Sequence, residues 1–70
     1  MIKLMEVNST PQLEKIIVAY ADASEKSNIT TKAATTITGV DFDYVEGSLI
    51  YCSDFDVAIL DSDGNWNWKG

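Results

Sequence analysis

Ile2 to Val7 opens the chain with a short, partly β-branched apolar run, which predicts a first strand. The spacing then changes. Leu13, Ile16, Ile17, Tyr20 and Ser24 fall at i, i+3, i+4, i+7 and i+11, a single mostly apolar stripe at the period of a helix. Ser9 stands where an N-cap would stand, with Gln12 three residues later. Pro11 falls in the first turn, where its missing N–H costs nothing. This pattern predicts a helix from Ser9 to about Glu25 or Lys26. Ile29 to Thr38 fits two descriptions. Five threonines and two isoleucines in ten residues favour a strand, yet Ile29, Ala33 and Ile37 repeat every fourth residue and Gly39 is placed to end a helix. A strand is the expectation.

Beyond Gly39 the pattern is that of β-structure. Phe42 and Tyr44 alternate with Asp41, Asp43 and Val45, as in a half-buried strand. Glu46-Gly47 marks a turn, Leu49 to Cys52 a return strand, and Ser53 to Asp56 another connection. Val57 to Leu60 is apolar on both faces, like a central strand. Asp63-Gly64 signals a two-residue hairpin turn, returning through Asn65-Trp66-Asn67-Trp68-Lys69. That turn would set Asp61 opposite Trp66, and Ile59 opposite Trp68. The fold class expected is α+β, ordered β-α-β-β-β-β: one N-terminal helix packed on a small, mostly antiparallel sheet.

Length makes residues 1–70 a single small domain, burying only about 60% of its unfolded surface. A hydrophobic content of 46% with 23% charged residues is globular rather than disordered. No apolar run of about 18 residues is present to span a membrane. The first residues carry no long apolar region and reach Glu6 early, unlike a signal peptide. Cys52 is the only cysteine, so no internal disulfide forms, which fits a reducing cytoplasm.

Charge is distributed unevenly. Before Gly39, Glu6, Glu14, Asp22 and Glu25 balance Lys3, Lys15, Lys26 and Lys32. After it, Asp41, Asp43, Glu46, Asp54, Asp56, Asp61 and Asp63 face only Lys69, so the net charge of −6 belongs to one half. Such a chain is repelled by nucleic acid and by anionic membranes, and attracts basic protein surfaces. Six of the seven acids form Asp-x-Asp pairs. On strands, residues i and i+2 share a face about 6.6 Å apart and strands lie about 4.8 Å apart, so these pairs would build a grid of charge. One DNA strand carries a charge per about 3.4 Å, a density that two acidic strands approach. The same alternation also describes an ordinary solvated strand, and aspartate is common in turns for its own hydrogen bonding.

Other chemistry is thin. There is no histidine, hence no ready general base near neutral pH and no common transition-metal ligand. Asp54 and Asp56 lie close to Cys52 in sequence and would raise its pKa, leaving a small core residue. Asp61-Ser62-Asp63-Gly64-Asn65 has the look of a calcium loop, but its glycine comes too early and the twelfth position lies past Gly70. No catalytic residue, metal or cofactor is expected.

The segment Val57-Ala58-Ile59-Leu60-Asp61-Ser62-Asp63-Gly64-Asn65 resembles the last hairpin of phage uracil-DNA glycosylase inhibitors, which are small acidic DNA mimics. The resemblance covers nine residues. The glutamate-rich inhibitory segment of that family has no counterpart, and no functional residue carries over. In general character (tiny, acidic, one cysteine, no histidine) the chain is similar to phage counter-defence proteins such as anti-CRISPRs as a class.

The sequence therefore predicts a non-enzymatic inhibitor or decoy that occupies a basic, nucleic-acid-binding protein in the cytoplasm, the host's if the chain is phage-encoded. Asp41, Asp43, Glu46, Asp54, Asp56 and Asp61 would supply the field, with Trp66 and Trp68 as anchors. The alternative is a homodimeric structural or regulatory module paired through the Trp strand.

Overall fold

A computed structural model of the chain describes residues 2–33 and 37–70. Its strands are β1 (Ile2–Ser9), β2 (Lys15–Ala21), β3 (Ile37–Thr38), β4 (Leu49–Cys52), β5 (Val57–Leu60) and β6 (Trp66–Trp68). They form one mixed sheet in the order β3-β1-β2-β4-β5-β6. β1–β2, β4–β5 and β5–β6 pair antiparallel, whereas β1–β3 and β2–β4 pair parallel. The only helix among the described residues is a 3₁₀ segment, Ala23–Asn28. None is long and apolar enough to cross a membrane.

The α+β expectation is thus overturned, because the stretch read as an N-terminal helix is β2. Three consecutive β-branched residues, Ile16-Ile17-Val18, lose rotamer freedom in a helix and pack well on a pleated surface. Burial follows period two: Ile17, Ala19 and Ala21 are buried, with Ile16, Val18 and Tyr20 on the opposite face. The signals read as a cap build a hairpin instead. Thr10 Oγ1 accepts the N–H groups of Gln12 (3.3 Å) and Glu14 (3.2 Å), and the Thr10 N–H donates to the Glu14 carbonyl at 2.8 Å. Leu13, placed in the expected apolar stripe, is 86% exposed at the hairpin tip with φ +64°.

Parallel pairing of β2 with β4 requires a crossover, and residues 22–48 supply it. Apart from β3, which joins the sheet beside β1, the described residues of this connection form the second layer of the domain. Its Ile29, Ile37 and Tyr44 join Ile2, Ile17, Ala19, Ala21, Ile50, Ala58, Leu60 and Trp66 in one buried cluster. Asp41–Val45 is not a strand, although Tyr44 is buried and Phe42 half-buried, as their alternation implies. Of the strand expected over Ile29–Thr38, only Ile37–Thr38 forms one, and Ala34, Thr35 and Thr36 lie outside the described residues.

The last hairpin departs from its expected register by one residue. Leu60 pairs with Trp66 and Ala58 with Trp68, while the Asp61 N–H donates to the Asn65 carbonyl at 3.0 Å. The turn is therefore Ser62-Asp63-Gly64, with Gly64 at φ +84° where a side chain would be strained. A slip of one residue moves a strand's whole set of side chains to the other face. Both tryptophans consequently turn towards the core.

Ser48 joins the crossover to the sheet. It is fully buried; its Oγ donates to the Val45 carbonyl at 2.8 Å and accepts the Ile17 N–H at 3.2 Å. Replacing Ser48 with alanine strands a buried donor, so S48A should lose about 1–3 kcal/mol of unfolding free energy in a urea titration.

Candidate functional site

None of the six paired aspartates lies inside a strand. Asp41 and Asp43 belong to the crossover, Asp54 and Asp56 to the β4–β5 turn, and Asp61 and Asp63 to the turn after β5. The expected grid of carboxylates on adjacent strands is not formed. Turns, not strand faces, hold the charge.

β5 separates these acids into two groups at its opposite ends. At the end where β4 turns into β5, Lys26 of the 3₁₀ helix reaches both Asp54 Oδ2 (3.2 Å) and Asp56 Oδ2. Asp56 is the more enclosed, with its side chain 7% exposed, and its Oδ1 accepts the N–H groups of Val57 and Gly70, each at 2.8 Å. The same ammonium lies 5.0 Å from the ring centre of Trp68, whose Nε1 donates to the Ile29 carbonyl at 3.4 Å. Lys26 and its hydrogen bonds hold Asp56 below the usual carboxylate range. The Cys52 thiol, and then Lys26, do the same for Asp54.

At the other end, two clefts adjoin across Lys32. One is lined by Lys32, Asp43, Tyr44 and Asp63, the other by Glu14, Lys32, Glu46 and Asp61. Lys32 pairs with Asp43, lowering its pKa, and sits 5.1 Å from the Tyr44 ring centre. Asp61 is spent on its own turn. Its Oδ1 accepts from Asp63 and Asn65 N–H groups, each at 2.9 Å, and its Oδ2 accepts from Asn67 Nδ2. The Asn65 N–H and then the Asn67 amide keep it ionised below the usual range. Five carboxylates thus line two clefts whose only basic lining residue, among the described residues, is Lys32. Among the described residues, no three candidate ligands are grouped to hold a metal ion.

Of the expected anchors, Trp66 is 5% exposed and its ring lies 6.3 Å from that of Tyr44, so it belongs to the core. Trp68 is half-buried beneath Lys26. The outer edge of β6 is partly occupied: the Trp66 N–H donates to the Thr30 carbonyl at 3.0 Å, and Thr31 bridges Asn65. Sequence reasoning missed Glu14, Lys26 and Lys32. Each meets acids distant in the chain, so no local spacing marks them. Compared with protein-family models, curated proteins and solved structures, the chain matches none.

Asp43, Asp54, Asp56 and Asp61 give stability a pH dependence. Their folded pKa values are depressed, so the contribution is complete above the ordinary aspartate value of about 3.9 and is lost as pH falls through the lower folded values. Asp56→Asn keeps an acceptor for Val57 and Gly70 but removes the partner of Lys26. In thermal melts the variant should be less stable than the parent at neutral pH, and the two should converge as pH falls below the ordinary aspartate range and Asp56 protonates.

Proposed function

We propose that this chain is a non-enzymatic acidic binding protein that engages a basic, nucleic-acid-binding target as an inhibitor or decoy, in the manner of phage counter-defence proteins such as anti-CRISPRs. The observation that carries this reading is the gathering of Glu14, Asp43, Glu46, Asp61 and Asp63 around two clefts with one lysine between them. With a net charge of −6 over 70 residues, this end of the molecule attracts cationic surfaces and repels nucleic acid and anionic lipid. Glu46 and Asp63 are exposed, and Asp43 keeps 81% of its side chain open despite its pairing. Asp41, exposed on the same crossover, adds to this field. Asp54 and Asp56 contribute less, since Lys26 offsets one of their two charges. The site of action is the cytoplasm, the host's if the chain is phage-encoded, where a lone buried thiol such as Cys52 stays reduced.

Displacement measures this directly. A labelled duplex is bound to each of a set of basic nucleic-acid-binding proteins, and the chain is titrated in. Release of the duplex from its target should weaken steeply between about 0.05 M and about 0.5 M NaCl. The variant D41N/D43N/E46Q/D63N should lose it by about tenfold or more while melting normally. Equal displacement by that variant would remove the electrostatic basis of the reading.

A further inference from the structure

The sheet has a second face, and no member of the buried cluster lies on it. Strand partners share a face, and two rows of them cross this one. The first runs Lys3–Tyr20–Tyr51–Val57, extended by Lys69, whose N–H donates to the Val57 carbonyl at 2.9 Å. The second runs Glu6–Val18–Leu49–Ile59–Asn67, with the Asn67 amide bonded to Asp61. The middle of both rows is apolar. Tyr20 is 39% and Tyr51 47% exposed, and with Phe55 and Val57 they line a cleft of about 510 Å³. Phe55 is fully exposed at φ +66°, so its turn bears left-handed backbone strain while holding an aromatic ring in water. Domains ordinarily cover a face of this kind with a second layer.

Charge identifies what covers it. The first row ends in two lysines, and the second in Glu6 and the Asn67–Asp61 pair. We propose that a second copy of this chain packs face to face on this surface, related by a two-fold axis that runs across the strands between the two rows. That operation inverts strand direction and lays one copy's first row on the other's second. Lys3 then meets Glu6 of the second copy, Tyr20 meets Val18, Tyr51 meets Leu49 and Val57 meets Ile59. Lys69 comes to Asn67 and its Asp61. A two-fold axis along the strands would lay lysine on lysine instead, so the charges select one arrangement. The result is an aligned sandwich of two sheets about 10 Å apart, with Phe55 at its margin. Of the residues this contact uses, Asp61 also lines an acidic cleft, and D41N/D43N/E46Q/D63N leaves it in place, so the two readings are tested separately.

Sedimentation equilibrium from micromolar concentrations upward tests it. The parent should dimerise, and should do so at least as well at about 0.5 M NaCl as at about 0.05 M, because the contact is mainly apolar and salt screens the repulsion between two acidic copies. This is opposite in sign to the salt response of the acidic clefts. Lys3→Glu and Glu6→Lys should each weaken the dimer about tenfold, and the double exchange should restore it, since both side chains are exposed. Phe55→Gly should weaken the dimer while raising the stability of the monomer, because glycine accepts the left-handed backbone. A monomer at every concentration would overturn the proposal. So would a dimer indifferent to all three single variants, or one that the double exchange fails to restore.

Discussion

The parallel pairing of β2 with β4 is the constraint on which the rest of this small structure depends. Antiparallel neighbours close with a short turn, but parallel neighbours require a connection that returns to the starting end of the sheet. Residues 22–48 make that return across one face. They carry Ile29, Ile37 and Tyr44 into the core, and their Lys32, Asp43 and Glu46 line the acidic clefts. Ser48 fixes the point where the crossover re-enters the sheet, exchanging hydrogen bonds with Ile17 and Val45 in a fully buried position. The covering layer thus supplies Lys32, Asp43 and Glu46 to the candidate site, and Glu14, Asp61 and Asp63 join them from the two hairpin turns.

Having spent its one long connection on one face, the chain has little left for the other. No described segment crosses the face bearing Tyr20, Tyr51 and Phe55, which keeps its aromatic surface. Charge is economised in a related way. Lys26 and Lys32, each about 29% exposed, both pair with aspartates and lie near aromatic rings. Each lysine therefore neutralises acid and covers apolar surface with its stem. Glu14, Glu46 and Asp63 collect beside Lys32, at the end of the sheet where β5 finishes.

Much of the second half was legible in the sequence. Leu49–Cys52 and Val57–Leu60 form strands where their apolar runs and flanking turns place them. Phe42 and Tyr44 turn inward although no strand carries them. Two errors have physical causes. The stripe from Leu13 to Ser24 satisfies helical spacing, but a run apolar on both strand faces produces the same coincidence, and β-branched Ile16-Ile17-Val18 favours the sheet. Asp63-Gly64 marks a turn correctly, yet a three-residue loop with Gly64 left-handed also fits, and that single residue decides which face Trp66 and Trp68 occupy.

By itself, the sequence determined the strands Leu49–Cys52 and Val57–Leu60, the presence of a turn at Asp63-Gly64 and the sign of the charge, because alternation, glycine conformation and ionisation are local properties. Only tertiary structure decided that Lys15–Ala21 is a strand between two others, that Trp66 is core with Trp68 packed against it, and that Lys26 offsets one charge of Asp54 and Asp56 while Glu14 joins the acidic end. Each of those outcomes rests on partners distant in the chain, such as Lys26 with Asp56 or Val18 with Leu49. A local pattern records what a residue can do. Which face it finds is fixed only when the crossover closes.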